Sequence, residues 1–238
     1  MIAPSNSPIC TRSQRVHDCG VMTLGEELRR RFYIIHLADP TCMTRIVSII
    51  ASPRKNGFGA TLAGAVAEGA RASGAEVVEY RLNDMATYRQ CQNCGACKES
   101  GECVLKDDIA PIIDSVREAD GIILCTSINF NDADGLFKMV LDRFYCFLDM
   151  NASTILHKGK KAAVIVTAGA DETGAERVAK GLEAIMTQHF FCESVGTLPY
   201  CTWFMPVGMP VDADVMTEAR EMGARMVRSD PGINTGSS

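Results

Sequence analysis

From Met43 onward the chain alternates short apolar runs rich in branched residues with longer helix-compatible stretches, and no other feature narrows its fold as much. Strands that are apolar throughout are buried on both faces, and the intervening helices are the crossovers that parallel pairing requires. Five strands are predicted, at residues 45–51, 76–81, 121–126, 161–167 and 192–197. Helices are predicted at 60–73, 109–118, 135–148, 175–189 and 213–228.

Five strands alternating with five helices is the count of a flavodoxin-like α/β three-layer sandwich: a five-stranded parallel sheet of order 2-1-3-4-5, with helices on both faces. The chain has 238 residues, of which 47% are hydrophobic and 22% charged, enough to bury one core. The domain is expected over residues 43–229, with a cysteine-rich insertion at 91–103. Residues 1–42 read as an appended extension open to disorder, and 230–238 as a flexible tail.

A net charge of -5 with dispersed Lys and Arg gives no electrostatic reason to bind nucleic acid. The run Arg29-Arg30-Arg31 follows Glu26 and Glu27 and reads as a solvated helix face. No apolar stretch reaches the roughly 18 residues of a membrane span, and the N-terminus lacks the pattern of a secretory signal. A reducing, cytoplasmic location is therefore expected, which turns the eleven cysteines away from a disulfide framework and toward metal or redox chemistry.

In sheets of this kind the ligand lies beyond the carboxyl ends of the strands, at the switch in strand order. The loop after the first strand reads Ser52-Pro53-Arg54-Lys55-Asn56-Gly57-Phe58-Gly59-Ala60-Thr61 and runs into an alanine-rich helix. Ser52 and Thr61 offer hydroxyls, Arg54 a cation, Asn56 an amide, and Gly59 and Ala60 backbone N–H groups at a helix start. This is chemistry for one phosphate monoester. Neither Gly-x-Gly-x-x-Gly nor a P-loop ending is present, which argues against a pyrophosphate. After the third strand, Thr126-Ser127-Ile128-Asn129-Phe130-Asn131 could meet the edge of a planar ring. After the fourth, Thr167-Ala168-Gly169 leaves room for one. The alternative at each loop is an ordinary helix-capping turn.

The most specific chemistry lies in Cys91-x-x-Cys94-x-x-Cys97-x5-Cys103. Structural zinc favours two separated Cys-x-x-Cys knuckles, whereas three thiolates in one tight loop with a fourth nearby suit the corners of an iron-sulfur cube. Zinc, a disulfide and four free thiols remain open alternatives. Cys125, Cys146, Cys192 and Cys201 read as small core residues. His17, His36, His157 and His189 share no catalytic spacing, and no hydrolase motif is present, so no catalytic side chain is named.

Ser52-Pro53-Arg54-Lys55-Asn56-Gly57 after the first strand, Asp107-Asp108 after the cysteine loop and Leu141-Asp142-Arg143 in the third helix resemble the NADPH-dependent FMN reductase group of the flavodoxin-like superfamily. The compact cysteine loop is similar to that of the iron-sulfur flavoproteins within it. The resemblance implies FMN held by Ser52, Arg54 and the Gly59–Thr61 turn, and a [4Fe–4S] cluster on Cys91, Cys94, Cys97 and Cys103. It also implies ferredoxin or NAD(P)H as donor, a small acceptor such as oxygen, peroxide or a quinone, and a homodimer or tetramer. This chain departs from the group's pattern at Phe58, Ser127 and Asn129. Two other readings stand beside this one: a cluster-free NAD(P)H-dependent flavin or quinone reductase, and a flavin-less binding module stabilised by zinc.

Overall fold

Six strands make up the sheet of the computed structural model, which describes residues 43–227. Five are parallel: β1 (Arg45–Ile50), β2 (Glu76–Arg81), β3 (Gly121–Asn129), β5 (Lys161–Ala168) and β6 (Glu193–Cys201), in the order β2-β1-β3-β5-β6. This is the expected order of a flavodoxin-like sheet. The sixth, β4 (Asp132–Ala133), was not expected from the sequence and pairs antiparallel with the end of β3. Between them Phe130 and Asn131 both take positive φ, 50° and 66°, the signature of a two-residue hairpin turn. The predicted extension at 1–42 and tail at 230–238 lie outside the described residues.

The helices are α1 (Phe58–Ala72), the single-turn α2 (Cys97–Ser100), α3 (Ala110–Glu118), α4 (Gly135–Arg143), α5 (Glu172–Ala184) and α6 (Ala213–Met226). Two predicted helices end early. α4 tightens into a 3₁₀ turn at Phe144–Phe147, and α5 passes into a π-helical turn at Ile185–His189. Conversely β6 runs four residues past its predicted end, through Pro199. Among the described residues it pairs with β5 alone, which makes it an edge strand, where a missing N–H is tolerated.

Alternate strand residues feed two cores. Ile46, Ile50, Ile123 and Ile165 pack with α1 and α6, while Val47, Ile49, Leu124 and Val164 pack with α3, α4 and α5. Helices α1 and α6 meet through glycines. A Cβ on Gly69 would fall 1.9 Å from the carbonyl oxygen of Arg220, and one on Gly223 would fall 1.9 Å from that of Val66. Only the absence of side chains permits this approach.

Candidate functional site

The loops after β1, β3 and β5 leave neighbouring strands at the same sheet edge, so the topology gathers the residues predicted to bind cofactor. In the first loop Ser52 is buried and its hydroxyl donates to the carbonyl of Arg54 at 3.0 Å, an acceptor it shares with the Gly57 N–H at 3.1 Å. The loop is thus folded by its own hydrogen bonds. Arg54, Lys55 and Asn56 stand exposed around it. Gly57 is the N-cap of α1, and the N–H groups of Phe58, Gly59 and Ala60 open the helix without intrahelical acceptors. Together with the Arg54 cation they fit a phosphate.

Some expectations change here. Gly59 is small because of its neighbours in the core: a Cβ there would lie 3.2 Å from Cys125 Sγ and 3.5 Å from Thr167 Oγ1. The Cys125 thiol donates to the Gly59 carbonyl at 3.2 Å, and burial pushes its pKa up to about 12, so it stays protonated. Phe58, one of the departures from the group's pattern, turns inward against Tyr200, ring centroids 5.8 Å apart, so this aromatic residue serves the core. Thr61 is exposed in the first turn of α1.

The strand predicted to end at Thr126 continues to Asn129, so Thr126 to Asn129 are the last residues of β3 and not a loop; Thr126 is buried and its hydroxyl accepts from the Asp134 N–H at 3.1 Å. Asp134 in turn caps α4 by accepting from Leu136 and Phe137. Ser127 and Ile128 are half-buried, and Asn129 donates to Asp134 at 3.2 Å. Phe130, at the hairpin tip, is wholly exposed. Asn131 is tethered through its carbonyl by Arg177 of α5. At the end of β5, Thr167 and Ala168 are buried and Gly169 is exposed. The chain after β6 crosses this last turn: the Phe204 N–H donates to the Gly169 carbonyl at 3.0 Å, with Thr202 Oγ1 at 3.4 Å on the same oxygen.

The cysteine loop leaves the same edge, after β2. Cys91, Cys94, Cys97 and Cys103 line one pocket together with Arg143, Tyr145 and Cys146. Cys94 is exposed and the other three loop cysteines are half-buried. Burial raises the Cys97 pKa, Lys98 opposes the shift, and the neighbouring Cys103 and Cys91 add to it. Among the described residues no three His, Cys, Asp or Glu side chains converge as they would on one ion. The thiols ring a pocket instead, and in a cubane cluster each thiolate meets a different iron. Cys146 has the core burial expected of it and also borders this pocket.

Protein groups fasten the loop on every side. Arg143 Nη1 donates to Asp107 at 3.0 Å and to the Arg89 carbonyl at 3.1 Å, and Asp107 accepts the Arg89 N–H at 2.8 Å. Asp108 accepts from the Thr87 and Ala86 N–H groups, which hold its carboxyl below the usual range. Lys98 Nζ donates to the carbonyls of Tyr145 and Leu148 and lies 3.4 Å over the Tyr145 ring. Arg117 donates to the Gly101 carbonyl at 2.6 Å. None of these roles had a local signal in the sequence, since each joins residues far apart along the chain.

An iron-sulfur flavoprotein of Methanocaldococcus jannaschii is 34% identical over 101 residues, which cover 42% of this chain and 51%, about half, of that relative. One from Archaeoglobus fulgidus is 29% identical over 166 residues, 69% of this chain and 80% of the relative. Among solved structures, an NAD(P)H:quinone oxidoreductase from Methanothermobacter marburgensis has the same fold, with TM-score 0.60 at 19% identity over 79% of this chain and 98% of that one. Residues 44–198, well over half the chain, match one family from β1 into β6, including the loops after β1, β2, β3 and β5. The chain belongs to the NADPH-dependent FMN reductase family and is an FMN-dependent oxidoreductase.

Proposed function

We propose that this oxidoreductase carries electrons from a reduced donor through a [4Fe–4S] cluster on Cys91, Cys94, Cys97 and Cys103 to FMN, and from there to a small acceptor. The observation that carries the reading is the pocket lined by all four loop thiols, on a loop braced at both stems by Arg143 and Asp107. The names of the curated relatives support it. Soft thiolates select iron-sulfur chemistry over hard cations.

In this reading the amides of Phe58, Gly59 and Ala60 and the Arg54 cation hold the FMN phosphate, and Ser52 keeps their loop in shape. Thr126 to Asn131 and Thr167 to Gly169 flank the ring. Bound flavin supplies the step between paired and single electrons, and the protein supplies position and electrostatics. Ferredoxin and NAD(P)H are the candidate donors, and a homodimer or tetramer is the expected assembly.

A cluster-free NAD(P)H-dependent reductase is the second reading, favoured by the exposure of Cys94 and by thiols that do not converge on one point. The flavin-less zinc module does not agree with the family. Anaerobic purification followed by assay of FMN, iron, acid-labile sulfide and zinc separates the two remaining readings. About four irons per FMN, lost in Cys94→Ala, is the expected result from a Cys₄ cubane cluster. FMN without iron or sulfide would sink the cluster.

A further inference from the structure

We infer that Phe204 forms an aromatic wall of the flavin site, its ring stacking on the isoalloxazine of bound FMN. The inference rests on the FMN site proposed above and adds a segment that neither the sequence reading nor the family match reaches, since that match ends at residue 198.

Past the end of β6 the chain stays tied to β5. Thr202 N–H donates to the Ala168 carbonyl at 2.8 Å, Phe204 N–H to the Gly169 carbonyl at 3.0 Å, and Met205 N–H closes the turn onto the Thr202 carbonyl at 2.8 Å. Within this turn Trp203 and Phe204 have φ of 46° and 58°. Bulky side chains rarely occupy that region, and backbone strain of this kind collects at ligand sites. The hydrogen bonds to Ala168 and Gly169 hold the strained segment in place.

The strain does not serve the core, because both rings are left out of it: Trp203 is 64% exposed and Phe204 79%. Phe204 nonetheless has a fixed position, against Gly169. A Cβ added at Gly169 would fall 3.0 Å from the ring carbon Cε1 and 3.5 Å from Cδ1. An apolar ring is therefore set, on a backbone that resists it, against the small exposed residue closing the turn assigned to the flavin ring. A planar heteroaromatic is the ligand class that such a π face suits.

The test is titration of the full chain with FMN and, separately, with riboflavin. Wild type, Phe204→Ala and Phe204→Tyr are compared, and melting temperatures are recorded alongside. Phe204→Ala is expected to bind both flavins at least fivefold more weakly, by a similar factor, with its melting temperature unchanged because the ring is exposed. Phe204→Tyr is expected to stay within about twofold of wild type, the spread ordinary context allows a stacked ring. A smaller loss in Phe204→Ala, or an equal loss in Phe204→Tyr, overturns the wall while leaving the FMN site standing. Failure of the wild type to bind either flavin overturns both.

Discussion

Arg143 and Asp107 form an ion pair at 3.0 Å in which the arginine side chain is wholly buried and the aspartate is 9% exposed. Through it the end of α4 grips both stems of the cysteine loop, because Arg143 also donates to the carbonyls of Arg89 and Leu105. A buried pair of this kind is costly to break from one side, since the remaining charge is left without its partner.

Replacing Asp107 by Asn should therefore destabilise the fold by about 3–5 kcal/mol and quicken alkylation of Cys91, Cys97 and Cys103. Urea unfolding and timed labelling under reducing conditions check both effects. Unchanged labelling would mean that the loop is held without the pair.

The glycine contact between α1 and α6 predicts a purely structural lesion. Gly223→Ala places a Cβ against the Val66 carbonyl and should cost about 1–3 kcal/mol, with flavin affinity per folded molecule unchanged. Unfolding midpoint and flavin titration, measured together, separate stability from binding.

Arg54 stands exposed beside the opening of α1 and belongs to the phosphate half of the proposed site. Arg54→Ala should weaken FMN about tenfold or more, the scale of one lost charge-assisted hydrogen bond, and leave riboflavin nearly untouched. Equal losses for the two ligands would remove Arg54 from the phosphate.

Burial pushes Cys125 up to about 12 and Cys192 to about 11 from an ordinary 9.0. Both thiols are neutral in the folded protein and ionise more readily once unfolded, so the unfolded chain gives up protons first and stability falls as pH rises. The loss should begin near pH 9 and approach about 1.4 kcal/mol per thiol for each further pH unit, until the folded-state values are reached. Unfolding midpoints between pH 8 and 11 test the slope, and Cys125→Ala should make it shallower.

What could be read from the sequence was local. β2 was found to the residue, and the four loop cysteines were legible because their meaning lies in short spacing. The length of β6 is not legible locally, because Pro199 reads as a breaker unless the strand lies at an edge. The β3–β4 hairpin has no sequence signal, because Phe130 is an unusual residue for a left-handed turn position. Asp107 and Arg143 stand in motifs that carry the resemblance, but their pairing spans 36 residues and only the packed chain reveals it. Phe204 carried no spacing signal at all, since its place depends on two strand ends meeting.

The brace around the cysteine loop is made of carboxylates, guanidinium groups, the Lys98 ammonium and backbone groups. In a zinc finger the ion and the fold come and go together. On the cluster reading proposed above, the scaffold would outlast its cargo: a chain stripped of iron by oxygen would keep its fold, with the thiols still ranged around the pocket. Cluster assembly would then be a repair carried out on a finished protein, with damage at the loop confined to the loop.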